Sequence, residues 1–283
     1  MEPFVRVNIN DGEPERLTIQ SWEDAFPGLS AGFSGRGGGA GEGHYSSLNL
    51  ALHVGDNPAV VAANRAKLAE AAGFSFEAWT CGEQVHDVRV SVVTEKDRGK
   101  GRADRSSAFQ STDGLITNVP GIMLTSFYAD CVPLYFFDPV NRAVGLAHAG
   151  WKGTVSQIAR ETIQAMASEY GSEPQHIRTA IGPSIGACCY EVDEYVMSKV
   201  RDIVPEGAGS GLDQVAAPST IPDRSMLNLK ELNRIIMIKA GILPSHIECT
   251  SYCTSCRSDL FFSYRKENGT TGRMASWIGM KER

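Results

Sequence analysis

Seven short apolar runs, Gly114–Asn118, Ile122–Tyr128, Val132–Phe137, Ala143–Ala147, Ile177–Ile181, Phe261–Tyr264 and Met274–Ile278, are strand-like and lie among helix-forming segments. A strand must bury a face and a helix a stripe, so this alternation leaves few architectures. It predicts a layered α/β or α+β fold around a mixed sheet. Three helices are legible from their ends. Asn57 caps one that has Pro58 at its first position, Val60, Val61 and Leu68 along it, and Gly73 at its stop. A second begins near Thr154, presents Val155, Ile158, Thr162 and Met166 at three- and four-residue steps, and ends by Gly171. A third runs from Asn228, with Glu231 in a capping-box pattern, through Leu232, Ile235 and Ile236 to Gly241.

Composition narrows the function classes. A chain of 283 residues buries a substantial core, as one large domain or two closely joined ones. Its formal net charge of −6, without a Lys/Arg-rich run, argues against nucleic acid as a partner. No segment reaches the ~18 consecutive apolar residues of a membrane span. The start, Met1-Glu2-Pro3-Phe4-Val5-Arg6, lacks the basic end and apolar core of an export signal. Seven cysteines, an odd count with irregular spacing, then suit thiols or metal ligands in a reducing cytoplasm better than a disulfide framework. The glycine-rich segment from Gly32 to Gly43 reads either as a loop bringing backbone close to a ligand or as a floppy surface loop. The stretch from Pro205 to Asp223 reads as an exposed excursion.

The chemistry concentrates in three phrases: Gln84-Val85-His86, Ala129-Asp130-Cys131 and His148-Ala149-Gly150-Trp151. Each delivers one borderline or soft metal ligand. Two imidazoles and a thiolate suit Zn²⁺ and leave a fourth tetrahedral position for water or substrate. No short-range spacing rule joins His86, Cys131 and His148, and each alone is equally a buried thiol or a hydrogen-bonded histidine. A competing set, His246-Ile247-Glu248 with Cys253-Thr254-Ser255-Cys256, superficially matches the zinc deaminases. Tyr252 stands where those have proline, and the gap after Glu248 is too short. Cys249, Cys253 and Cys256 offer a structural site that lacks a fourth ligand, or are ordinary thiols.

Taken together, the chain resembles the YfiH/YlmD family, also called the laccase-domain or polyphenol-oxidoreductase family. The resemblance rests on Ser47-Leu48-Asn49-Leu50, His53-Val54-Gly55-Asp56, Asn64-Arg65, the three phrases above, Asp113-Gly114-Leu115-Ile116-Thr117, Ile181-Gly182-Pro183, Tyr190-Glu191-Val192, Phe262-Ser263-Tyr264-Arg265 and Thr271-Gly272-Arg273. Asp87, Lys152 and Ser184 depart from the usual glycine, arginine and cysteine at their positions. The resemblance implies a single catalytic domain over residues 1–283, with a fold similar to the CNF/YfiH-like cysteine hydrolase group. It implies a zinc site of His86, Cys131 and His148. It also implies phosphorolysis of adenosine, inosine, guanosine and methylthioadenosine, together with adenosine deamination, and it allows a homodimer.

An older description of the family, copper-dependent polyphenol oxidation, meets an obstacle. The chain has six histidines and no His-x-His pair, too few for a multicopper cluster, although copper would enter the His/Cys/His site. Asp130 is the nearest carboxylate to a ligand and is either a proton shuttle or a structural hydrogen-bonding residue. Phosphate and nucleoside contacts are expected from Arg36, Asn49, Arg65, Lys152 or the helix start after Gly153. A metal-free alternative makes Cys131 a nucleophile with His148 as its base.

Overall fold

The computed structural model describes residues 1–7, 10, 12–205 and 211–282. Its strands form two six-stranded sheets and one three-stranded sheet. The first large sheet is organised around Met123–Tyr128 and Met274–Met280, paired antiparallel, with Leu29–Ser34 on the far side of the latter. The second is centred on Val132–Asp138 and Ala143–Ala149, also antiparallel, with Pro133 opposite His148. Parallel pairs, Trp79–Cys81 with Met123–Tyr128 and Val90–Val92 with Gly114–Thr117, make both sheets mixed.

Strand periodicity explains the layering. Val132, Leu134 and Phe136 enter one core with Ala147, Ala149, Ile158, Ile163 and Met166, while Tyr135, Phe137, Val144 and Leu146 enter another with Leu124, Tyr128 and Ile278. Ala275, Trp277, Met123 and Phe127 point the opposite way, into a third core with Leu68 and Ala69. Both faces of both large sheets are therefore covered, which is why their central strands read as continuous apolar runs rather than alternating ones. The order is helix, sheet, sheet, helices. The expected α/β sandwich is present, built on two mixed sheets face to face rather than one.

Helix ends follow their capping chemistry. Asn57 accepts from the Ala59 amide at 3.0 Å at the head of Pro58–Ala71, and Gly73 follows with a φ of +84°. Asn228 caps Leu229–Lys239 by accepting from the Glu231 amide, but Glu231 turns to Arg234 and leaves the capping box open. The helix expected from Thr154 is two: Trp151–Val155 and Ile158–Tyr170, separated by Gln157 in a left-handed conformation. Glu194–Ile203, capped by Asp193 through the Val196 amide, is a further helix. Its signal, an aspartate followed by Val196, Met197 and Val200, was readable in the same way as the others.

Two local readings are corrected and a third gains detail. Phe261–Tyr264 is not a strand: Phe261 and Phe262 are fully buried. The chain there is instead held by Glu267 on the Ser263 amide and by Asp130 on the Arg265 amide. The glycine-rich segment neither floats nor meets the cavity. Gly32 lies in a buried strand, and a Cβ on Gly38 or Gly39 would overlap the backbone carbonyls of Glu13 or Ser47. Its glycines let three chain segments close on one another. In the stretch from Pro205 to Asp223, residues 206–210 lie outside the described ones. The remainder is largely exposed but carries the Leu212–Val215 helix and a sheet strand, with Val215 fully buried.

Candidate metal centre and cavity

The chain crosses from the first sheet to the second through Ala129-Asp130-Cys131, between Met123–Tyr128 and Val132–Asp138. Cys131 therefore sits at the mouth of the sheet pair. His148, one residue from the end of its strand, is placed beside it by the antiparallel ladder. His86 arrives from the loop that leaves Trp79–Cys81, with a positive φ of 64°. One ligand atom from each lies within 4.8 Å of the other two. The His86 Nε2 to Cys131 Sγ distance is 3.8 Å, and the two imidazoles meet edge to face at 4.7 Å between ring centres.

Asp113 builds this arrangement. One carboxylate oxygen accepts from the His86 amide at 3.0 Å and pairs with His148 Nδ1 at 2.8 Å. The other accepts from the Val85 and Asp87 amides, both at 3.0 Å. A carboxylate on one imidazole nitrogen directs the other nitrogen toward a metal and fixes its tautomer. Gln84 clamps the same loop by exchanging two hydrogen bonds with the Phe127 backbone, at 2.8 and 2.7 Å. Opposite, Gly150 leaves a hollow: a Cβ there would stand 2.7 Å from His86 Cδ2 and 3.2 Å from Cys131 Sγ. Two imidazoles and a thiol around such a cradle fit a single zinc ion with an open coordination position.

The electrostatics agree with that donor set. Burial opposes ionisation of Cys131, but the neighbouring His148 and His86 outweigh it and bring the thiol down to about 6. Burial likewise works against a charged His148, and Cys131 with Asp113 overcomes it, raising the imidazole to about 9. Asp113 is held below the usual carboxylate range: burial is outweighed by its hydrogen bond to His148 and by the amides of Asp87 and Val85.

A cavity of about 570 Å³ opens over these residues, within the size range of small-molecule sites. Lys152 and Asp130 line it, with Phe127, Trp151, Tyr190 and Tyr264 as aromatic walls and Arg265 and Arg273 as cations. Among the described residues, none of these three cations has a carboxylate partner within ion-pair distance. The Asp130 carboxylate is fully engaged, accepting from Thr254 Oγ1 at 2.6 Å, Ser263 Oγ at 3.0 Å and the Arg265 amide at 2.7 Å.

The other expected contacts are placed elsewhere. Arg36 lies over the Phe262 ring and pairs with Glu267 at 3.1 Å. Arg65 is buried, its guanidinium donating to the carbonyls of Leu50, Gly101 and Arg102. Asn49 is buried as well and touches the site indirectly, accepting from the Arg273 amide at 3.0 Å. The Trp151–Val155 helix is a single short turn rather than the start of a long dipole. His53, Tyr264, Arg265 and Arg273, which were not among the expected site residues, also line the cavity, and each lies in a phrase that carries the family resemblance. The deaminase-like set does not assemble: Glu248 accepts from Trp22 Nε1 at 2.7 Å instead.

Comparison with known proteins shows the family. Residues 30–281 match the family described as multi-copper polyphenol oxidoreductase laccase. The chain belongs to that laccase-domain family, the YfiH/YlmD group. It is 43% identical over 272 residues to the purine nucleoside phosphorylase YlmD of Bacillus subtilis, covering 95% of this chain and 96% of that protein. The crystal structure of YlmD from Geobacillus stearothermophilus superposes with a TM-score of 0.91 at 40% identity, covering 100% of both chains. That of the hypothetical protein YfiH from Bacillus licheniformis gives 0.90 at 40% identity, over 99% of this chain and 100% of that one.

Proposed function

We propose that this protein is a zinc-dependent purine nucleoside phosphorylase whose reaction centre is His86, Cys131 and His148. One observation carries the reading: a single cavity joins three metal donors, aromatic walls and the cations Lys152, Arg265 and Arg273. Its relatives named as purine nucleoside phosphorylases support the reaction class. His86, Cys131 and His148 would hold the zinc, which when bound would supply a Lewis acid and positive charge to the cavity.

The chain's own residues do the rest. Arg273, Arg265 and Lys152 draw phosphate in and hold it against a ribosyl cation-like transition state. Phe127, Trp151, Tyr190 and Tyr264 offer ring faces and edges to the purine. The bond from C1′ to the base nitrogen breaks and a bond from C1′ to a phosphate oxygen forms; the proton lost by hydrogen phosphate balances the one the base nitrogen gains, giving free base and ribose 1-phosphate. Asp130 is a positioning residue, because its hydrogen bonds fix Thr254, Ser263 and the Arg265 backbone. The reading extends to adenosine, inosine, guanosine and methylthioadenosine as substrates, with adenosine deamination as an accompanying activity; the width of the cavity supports a broad choice of purine nucleoside. Copper-dependent oxidation is secondary, since the site contributes only two of the six histidines.

A second reading has a specific observation behind it. Asp113, His148 and Cys131 form an orienting carboxylate, imidazole and thiol series suited to a metal-free cysteine hydrolase. Chelation separates the two: loss of phosphorolysis on metal removal and its return with zinc support the first, and activity surviving chelation supports the second. Cys131→Ala is expected to abolish conversion of inosine plus phosphate to hypoxanthine and ribose 1-phosphate while the far-ultraviolet spectrum stays unchanged. Full turnover by that variant would falsify the role of Cys131.

A further inference from the structure

We propose that Cys188, Cys189, Cys253 and Cys256 form a second, structural metal site holding one soft divalent cation, with zinc as the fitting ion. Their sulfurs all lie within 4.8 Å of one another, with Cys256 Sγ at 3.5 Å from Cys188 and 3.4 Å from Cys189. A tetrahedral ion with metal–sulfur bonds of about 2.3 Å needs sulfur–sulfur edges of about 3.8 Å. The cluster already has that size. A four-iron cluster would require the thiolates to be spread around a cube, so the spacing selects a mononuclear ion.

The surroundings suit bound thiolates. The Gly186 amide donates to Cys253 Sγ at 3.1 Å, in a turn where the Cys189 and Tyr190 amides both return to the Gly186 carbonyl. Gly186 is needed for that approach, since a Cβ there would stand 3.2 Å from Cys253 Cβ and 3.3 Å from Cys188 Sγ. Four thiolates and a divalent ion carry a net charge of −2. A buried cation helps to offset it: Lys230 donates at 2.7 Å to the carbonyl of Tyr252, the residue that precedes Cys253. The sequence alone offered Cys249 as the third ligand and no fourth. The fold leaves Cys249 out and supplies the adjacent pair Cys188-Cys189 from a distant turn.

The site would staple two loops that build the cavity. One carries Ile185 and Tyr190 to its wall; the other brings Thr254 to the Asp130 carboxylate and its amide to the Ser184 carbonyl. Its occupant therefore stiffens the cavity without touching substrate.

The test is metal analysis of the full chain, expressed with added zinc and purified under reducing, oxygen-free conditions. In the His86→Ala/His148→Ala variant, which removes the other donor set, one equivalent of zinc is expected, with four sulfur neighbours by X-ray absorption. Cys253 is buried, so the exposed Cys256 carries the substitution: Cys256→Ser is expected to lose one equivalent relative to its parent, with a native far-ultraviolet spectrum. Absence of metal from the His86→Ala/His148→Ala protein, a disulfide among the four cysteines by mass, or zinc content unmoved by Cys256→Ser would each overturn the proposal.

Discussion

Asp113→Asn isolates the loop that brings His86 to the site. The Asp113 side chain is fully enclosed and accepts four hydrogen bonds, from the amides of Val85, His86 and Asp87 and from His148 Nδ1. Asparagine has the same shape but one acceptor oxygen, so two of these donors must face an NH₂ group. If that group takes the position facing Val85 and Asp87, the loop loses two charge-assisted hydrogen bonds. At about 1.5–3 kcal/mol each, roughly 3–6 kcal/mol is withdrawn from the closed loop. If instead it faces His148, Nδ1 must give up its proton, and Nε2 then carries one and cannot bind a metal. Either orientation damages the centre. Because the loop is near the surface, it opens locally before the sandwich unfolds. Zinc affinity, measured by competition with a chromophoric chelator, is expected to fall about 10- to 100-fold. Amide exchange at residues 85–87 should quicken in step. Wild-type zinc affinity together with unchanged protection of those amides would refute the reasoning.

Other outcomes follow from the same geometry. Gly150→Ala leaves an ordinary backbone conformation (φ −67°, ψ 173°) but drives a methyl toward His86, so phosphorolysis should drop at least about tenfold while urea stability moves by less than about 1 kcal/mol. Arg65→Lys cannot reproduce the three-carbonyl grip and should cost about 2–3 kcal/mol in urea denaturation, with KM for phosphate unchanged because Arg65 lies outside the cavity. Burial first, then the charges of Arg273, Arg105 and Arg65, bring His53 down to about 4, below its ordinary 6.5. The unfolded chain therefore takes up a proton before the folded one does. The stability linked to His53 is fully present above about pH 6.5 and is lost as pH falls toward 4, a loss that His53→Gln should flatten in pH-dependent denaturation.

Local chemistry made much of this legible. The caps at Asn57 and Asn228 and the central strands follow from short-range pattern, and the three metal-donor phrases stand out by residue type. Pairing between strands is a long-range property, so the division into two sheets was not readable from the runs themselves. The same gap explains the substrate-facing residues. Arg36 and Arg65 look like anion binders in one dimension, yet the fold spends both on carbonyls and ring faces, while Arg265 and Arg273 are aimed by Asp130 and Asn49 from far along the chain. Cysteine spacing misled for the same reason: Cys249 is the nearer neighbour of Cys253 in sequence, but Cys188 and Cys189 are the nearer in space.

The crossover at residues 129–131 has a mechanical consequence. His86 emerges from one sheet, His148 belongs to the other, and Cys131 sits on the link between them. A cation gripped by all three resists shear of one slab past its partner. At a free concentration one hundred times its dissociation constant, such an ion adds about 2.7 kcal/mol to the folded state. Loading the centre should thus stiffen the whole seam of the sandwich, so that catalytic competence and resistance to unfolding rise and fall together.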